Sequence, residues 1–124
     1  MIDWLRIATG QHITSAAFDS IMRKYLPLES YYQSEVMCFL RESYPGSFVW
    51  KAAAGPYSRQ GIPDVCAIIN GHFFGFEIKR PFIGQLSKIQ ERTIQEINGA
   101  GGTATVVSFQ HQAKEVVDSW MMKN

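Results

Sequence analysis

Cysteine is scarce in this chain: Cys38 and Cys66 are the only two. They form no CxxC pair, and two thiols are too few for a disulfide scaffold. Both fall in apolar runs and read as buried free thiols, which suits a reducing cytoplasm. Histidine is sparse as well, and His12, His72 and His111 lack zinc-type spacing. No apolar run reaches the roughly 18 residues of a membrane span, so no membrane partner is expected. The opening MIDWLRIATG carries Asp3 and Arg6 and no long apolar region, so no signal peptide is expected. A surplus of one charge is also missing. The net charge is +1, whereas most nucleic-acid binders carry a basic excess. A nucleic-acid partner therefore has to rest on a local site.

What remains is enough for one domain, since 124 residues at 46% hydrophobic composition can bury a core without staples. Residues 1–12 are ambiguous. TSAAFDSIMRKYL spaces Phe18, Ile21, Met22, Tyr25 and Leu26 as a helix, capped by Ser15 and stopped by Pro27. SYYQSEVMCFLRESYPG is a second helix, with a Ser30–Gln33 capping box and a stripe of Tyr32, Val36, Phe39 and Leu40. SFVWKA and DVCAII read as strands. Asn70-Gly71 is a two-residue hairpin turn, and HFFGFEIKR is the return strand. GQLSKIQERTIQEINGAGG is a helix with Leu86, Ile89, Ile94 and Ile97 inward. TATVVSF is a strand, and HQAKEVVDSWMM a last helix with Val116, Val117, Trp120 and Met121 inward. The order α-α-β-β-β-α-β-α predicts an α/β fold: a mixed sheet of about four strands flanked by helices.

The hairpin holds residues that do not belong in a core. Side chains alternate along a strand, so Glu77 and Lys79 share one face, with Gly75 two residues back. The missing side chain at Gly75 leaves room for another backbone or a ligand. A two-residue turn at Asn70-Gly71 pairs Ile69 with His72, which sets Asp64 opposite Glu77. Directly opposed side chains lie roughly 5 Å apart at Cβ, where like charges repel unless a cation lies between them. A divalent metal suits two such carboxylates. It can acidify a water and stabilise charge on a phosphoryl oxygen, with Lys79 alongside. Asp64, Glu77 and Lys79 thus form parts of a phosphodiester-hydrolysis site. The plainer alternative is a turn-capping Asp64 and a Glu77 paired with Lys79 or Arg80 on a solvated face. Two polar residues also sit on or beside apolar stripes, Glu35 on the second helix and Gln90 on the third. Each is either a satisfied rim position or aimed at the carboxylates.

SEVMCFLRE, FVWKAAAGPYSRQGIPDV, GHFFGFEIKRP, LSKIQERTIQEI and AGGTATVV together resemble a VRR-NUC domain of the PD-(D/E)xK nuclease superfamily, over roughly residues 30 to 108. The resemblance implies a restriction-endonuclease-like core in which Asp64 and Glu77 hold the metal, Mg2+ with Mn2+ as a substitute. Lys79 then faces the attacked phosphate, Glu35 completes the metal shell, Gln90 is the helix glutamine, and the backbone of Ile78 joins the site. Lys51 corresponds to the lysine before the loop and is assigned to DNA phosphate contact. Tyr57, Arg59, Arg80 and Lys88 extend the expected DNA surface, although Lys88 also fits an ordinary solvated helix face.

The sequence departs from that family after Pro81. Phe82-Ile83-Gly84-Gln85 is apolar where a Gly- and Lys-rich loop is common, which suggests a subunit contact or a wedge. Residues 1–28 lie outside the resemblance and are expected to be a helical extension to a nuclease domain of residues 29–124. The expected protein is a Mg2+-dependent DNA endonuclease, selective for branched DNA in phage-type replication or repair. It acts as a homodimer in the cytoplasm of a bacterial or phage-infected cell. The alternatives are a DNA-binding subunit that needs a partner for activity and a non-enzymatic interaction module.

Overall fold

The computed structural model describes residues 13–53 and 55–124. The ambiguous residues 1–12, with His12 and the first part of the expected extension, lie outside the described residues. The elements follow the expected order. They are α1 (Ser15–Tyr25), α2 (Glu29–Ser43), β1 (Phe48–Lys51), β2 (Val65–Ile69), β3 (His72–Ile78), α3 (Lys88–Gly99), β4 (Thr103–Val107) and α4 (Gln110–Lys123). The strands form one sheet in the order β1-β2-β3-β4. The first two pairings are antiparallel and β3–β4 is parallel, so the sheet is mixed.

The hairpin fixes the register that matters. Asn70 and Gly71 both adopt positive φ, at 52° and 75°, as a tight turn matched to the strand twist requires. Ile69 pairs with His72 and Val65 with Phe76. One face of the sheet carries Val65, Ala67, Phe74, Phe76 and Ile78 into a core completed by Val36 and Leu40 of α2 and Ala113 and Val117 of α4. α3 packs beside β4, and the loop between β1 and β2 folds against it. Helices therefore flank the sheet, as expected.

Several local expectations shift. Thr14, not Ser15, caps α1 by accepting from the Ala17 amide at 3.1 Å. α2 begins at Glu29 behind an extended Leu28 and has no side-chain cap, so Ser30 already lies inside the helix. The capping box is on α3 instead. Ser87 Oγ accepts from the Gln90 amide, and Gln90 Oε1 accepts from the Ser87 amide. On α3, Thr93 is buried and Ile89 is exposed. The inward arc of that helix is centred on Gln90, Thr93, Ile94 and Ile97, which leaves Ile89 at its edge. Cys38 is exposed on α2, while Cys66 is buried and directs its thiol to the Pro63 carbonyl.

Candidate functional site

One step beyond the Val65–Phe76 pair, the register sets Asp64 opposite Glu77. Asp64 leaves the ladder with its carbonyl still accepting from the Ala52 amide at 2.9 Å. Its side chain folds across the strand end, where Oδ2 accepts from the Ile78 amide at 2.9 Å. Glu77 is 1% exposed, although it is a full carboxyl side chain on a central strand. Its Oε1 accepts from Gln90 Nε2 at 2.8 Å and lies 3.8 Å from Lys79 Nζ. Its Oε2 is buried without a hydrogen-bond partner.

Such a group is costly to ionise. Burial first, and then the charge of Asp64, push the Glu77 carboxyl up to about 8. The same field reaches Cys66, whose thiol is pushed to about 11 by burial and then by Asp64 and Glu77. The register thus brings two carboxyls to one point of a chain that is nearly neutral overall, and burial keeps Glu77 protonated well above the usual carboxylate range. The gap expected beside Gly75 is filled by protein. A Cβ there would stand 2.9 Å from Pro63 Cγ, so the ring of the Pro-Asp pair packs on the glycine and holds Asp64 in place.

The acidic residue that α2 contributes to this field is Glu29, not Glu35. At about 100° per residue, Tyr32, Gln33, Val36 and Leu40 span an inward arc of roughly 100°, with Glu29 near its middle. Glu35 falls about 60° outside that arc and is exposed. Burial and then Asp64 raise the Glu29 carboxyl, while Lys79, Arg80 and Lys51 oppose the rise. Sequence reasoning missed Glu29 because it started the helix at Ser30. Its position three residues before Tyr32 was the available signal.

The expected DNA-contact residues divide. Lys51 ends β1 exposed, and its charge acts on Glu29. Tyr57 is fully exposed, and Lys88 is exposed on the first turn of α3. Arg59 is held by Glu96 of α3 at 2.6 Å. Arg80 is turned away from any outside ligand. Its guanidinium donates to the carbonyls of Arg23, Leu26 and Pro27, each at 3.0 Å, with Met22 at 3.5 Å. The Arg23 carbonyl has no helical donor, because Pro27 lacks an N–H, and the Leu26 and Pro27 carbonyls lie past the end of α1, which is why a guanidinium fits there. The Phe82-Ile83 segment is likewise used within the chain. Ile83 is buried, and Phe82 meets Phe18 of α1 edge-on at 6.3 Å between centroids.

The donor set fits a hard divalent cation. Two opposed carboxylates, one with an unpartnered buried oxygen, offer hard oxygen donors of the kind such an ion takes. Along an extended strand, the amide and carbonyl of one residue point to the same side, so the Ile78 carbonyl faces the Asp64 side with its amide. Among the described residues, no group of three or more His, Cys, Asp and Glu side chains forms a ready metal cage. Water and substrate oxygens would therefore fill the remaining positions, as is usual for magnesium.

No protein-family model and no curated protein matches the chain. Among solved structures, the chain is similar to one described as a VRR_NUC domain, with a TM-score of 0.56 and 21% identity over 70% of this chain and 95% of that one. The class is therefore settled at the level of fold: an α/β architecture with a mixed four-stranded sheet. More narrowly, the chain has the fold of a VRR-NUC domain, the one that its motifs resemble.

Proposed function

We propose that this chain is a metal-dependent DNA endonuclease that hydrolyses phosphodiester bonds. The observation that carries the reading is the buried Glu77 carboxyl, set opposite Asp64 with one oxygen unpartnered. Asp64, Glu77 and the Ile78 carbonyl would hold Mg2+, with Mn2+ able to replace it. When bound, the ion would supply Lewis-acid stabilisation of charge on the phosphoryl oxygens. Lys79 extends along the same face and orients the attacking water beside the phosphate. Gln90 fixes the orientation of the Glu77 carboxyl, so that Oε2 is left for the ion. Glu35 was expected to complete the metal shell; in its place α2 offers Glu29, which acts as an outer carboxylate whose charge is felt at Glu77 and not as a ligand.

Lys51, Tyr57 and Lys88 are the proposed DNA contacts. Arg59 joins them once it leaves Glu96, and Arg80 serves only by holding α1. Selectivity for branched DNA in phage-type replication or repair rests on the VRR-NUC resemblance. A homodimer would place two centres on a two-fold substrate. No helix among the described residues is long and apolar enough to cross a membrane. A cytoplasmic location is proposed on the free thiols.

A second reading, a DNA-binding subunit that needs a partner for activity, draws support from the described residues, among which no third ligating side chain joins Asp64 and Glu77. A panel of linear, flap, splayed and four-way DNA, incubated with Mg2+ and with EDTA, separates the two. Cutting of a branched substrate that EDTA abolishes supports the nuclease. Retention of DNA without cutting supports the subunit.

A further inference from the structure

A polar cavity opens beside Lys79, between the strand end and α1. It has a volume of about 340 Å3 and is lined by Arg23, Glu29, Lys79, Arg80 and Gln85, with Gly84 in its wall. Arg23 and Lys79 face one acid, Glu29, here, while Arg80 stands in the wall with its guanidinium committed to the α1 carbonyls. We propose that this cavity is a phosphate subsite, which takes the backbone phosphate next to the one being cut, and that Arg23 of α1 is its principal ligand. The inference rests on the nuclease reading above and adds a residue from the segment outside the VRR-NUC resemblance.

Three features of the fold build the subsite. The carboxyl end of a helix carries partial negative charge and would repel a phosphate. Arg80 cancels that charge on α1 by donating to the carbonyls of Met22, Arg23, Leu26 and Pro27. The last turn, which carries Arg23, can then face an anion. Second, the chain after β3 doubles back tightly enough to bring Gln85 beside Lys79. Gly84 donates its amide to the Arg80 carbonyl at 3.0 Å, and a Cβ at Gly84 would stand 2.6 Å from Lys79 Cβ and 2.8 Å from that carbonyl. Only glycine allows this approach. Third, Phe82 adopts a φ of 70° in the same turn and meets Phe18, which docks α1 against the loop. Lys79 belongs to both places, since it lines the cavity and stands 3.8 Å from Glu77. A strand laid across Lys79 would thus present one phosphate to the carboxylates and the next to Arg23.

The test uses the full chain in an Asp64→Asn background, so that DNA is retained uncut in Mg2+. Arg23→Gln is expected to weaken retention about tenfold and to lower the slope of log affinity against log salt by about one. Lys24→Gln removes the same charge from the same turn outside the cavity lining and is expected to leave both values near the parent. Arg23→Lys is expected to recover part of the loss, and circular dichroism checks that each variant is folded. Equal effects at Arg23 and Lys24, or no effect at Arg23, would overturn the subsite and leave the nuclease reading standing. A parent that neither retains nor, with Asp64 restored, cuts any DNA would overturn both.

Discussion

Gln90 Nε2 donates to Glu77 Oε1 at 2.8 Å, while the Oε1 of the same glutamine accepts from the Ser87 amide. One side chain therefore closes the start of α3 and orients the buried acid of β3. The two roles can be separated. Ser87→Ala removes the cap and should cost about 1 kcal/mol of stability, with little change in Mn2+ affinity. Gln90→Ala removes both roles and should also weaken Mn2+ binding by about tenfold or more. Urea unfolding and calorimetric titration of the two variants check this.

The pH dependence follows from Glu77. In the folded, metal-free chain the carboxyl keeps its proton up to about pH 8, whereas its ordinary value is 4.5. Between those values the folded state binds more protons than the unfolded one. Stability should therefore fall as pH rises through that window, by on the order of a few kcal/mol, and level off above it. Glu77→Gln should flatten the profile. Divalent metal must displace the proton, so Mn2+ should raise the melting temperature more at pH 8 than at pH 6. Melting curves without and with Mn2+ across this range are the measurement.

Asp64→Asn keeps an oxygen that can accept from the Ile78 amide, so the strand end should stay folded. The charge at the proposed metal site is lost, and cutting should drop by about a hundredfold or more. Retention of DNA should persist. Single-turnover cleavage, alongside a gel-retention measurement, separates the two effects.

Arg80→Ala should act on α1 before it acts on DNA. Loss of its bonds to the helix-end carbonyls should cost about 1–3 kcal/mol. It should also open the segment around Leu26–Leu28 to proteases. Limited proteolysis of the wild type and the variant reads this directly. An unchanged digestion pattern would return Arg80 to the role of DNA contact.

These residues also mark where the sequence was legible. Asp64, Glu77 and Lys79 could be placed together because Asn70-Gly71 determines the hairpin register, and register alone decides which side chains meet. Gln90 was visible as a polar residue on an apolar arc, but its capping partner Ser87 was not recognised. Glu29 was hidden by a helix start placed one residue too late, and Glu35 read as inward because half-buried Phe39, at the edge of the arc, was counted in the stripe. Arg80 was unreadable for a different reason. Its partners lie more than fifty residues earlier in the chain, and no local pattern encodes a guanidinium closing a remote helix. Ile83 is buried and Phe82 half exposed, so the loop is outward only in part, and the contact of Phe82 with Phe18 was unreadable because Phe18 belongs to the segment beyond the motif.

Anomalous diffraction from crystals soaked in manganese tests the central claim most directly. A single strong peak within coordination distance of both Asp64 and Glu77 oxygens, lost in Glu77→Gln, is the predicted result. No peak there, with manganese bound elsewhere or nowhere, would contradict it.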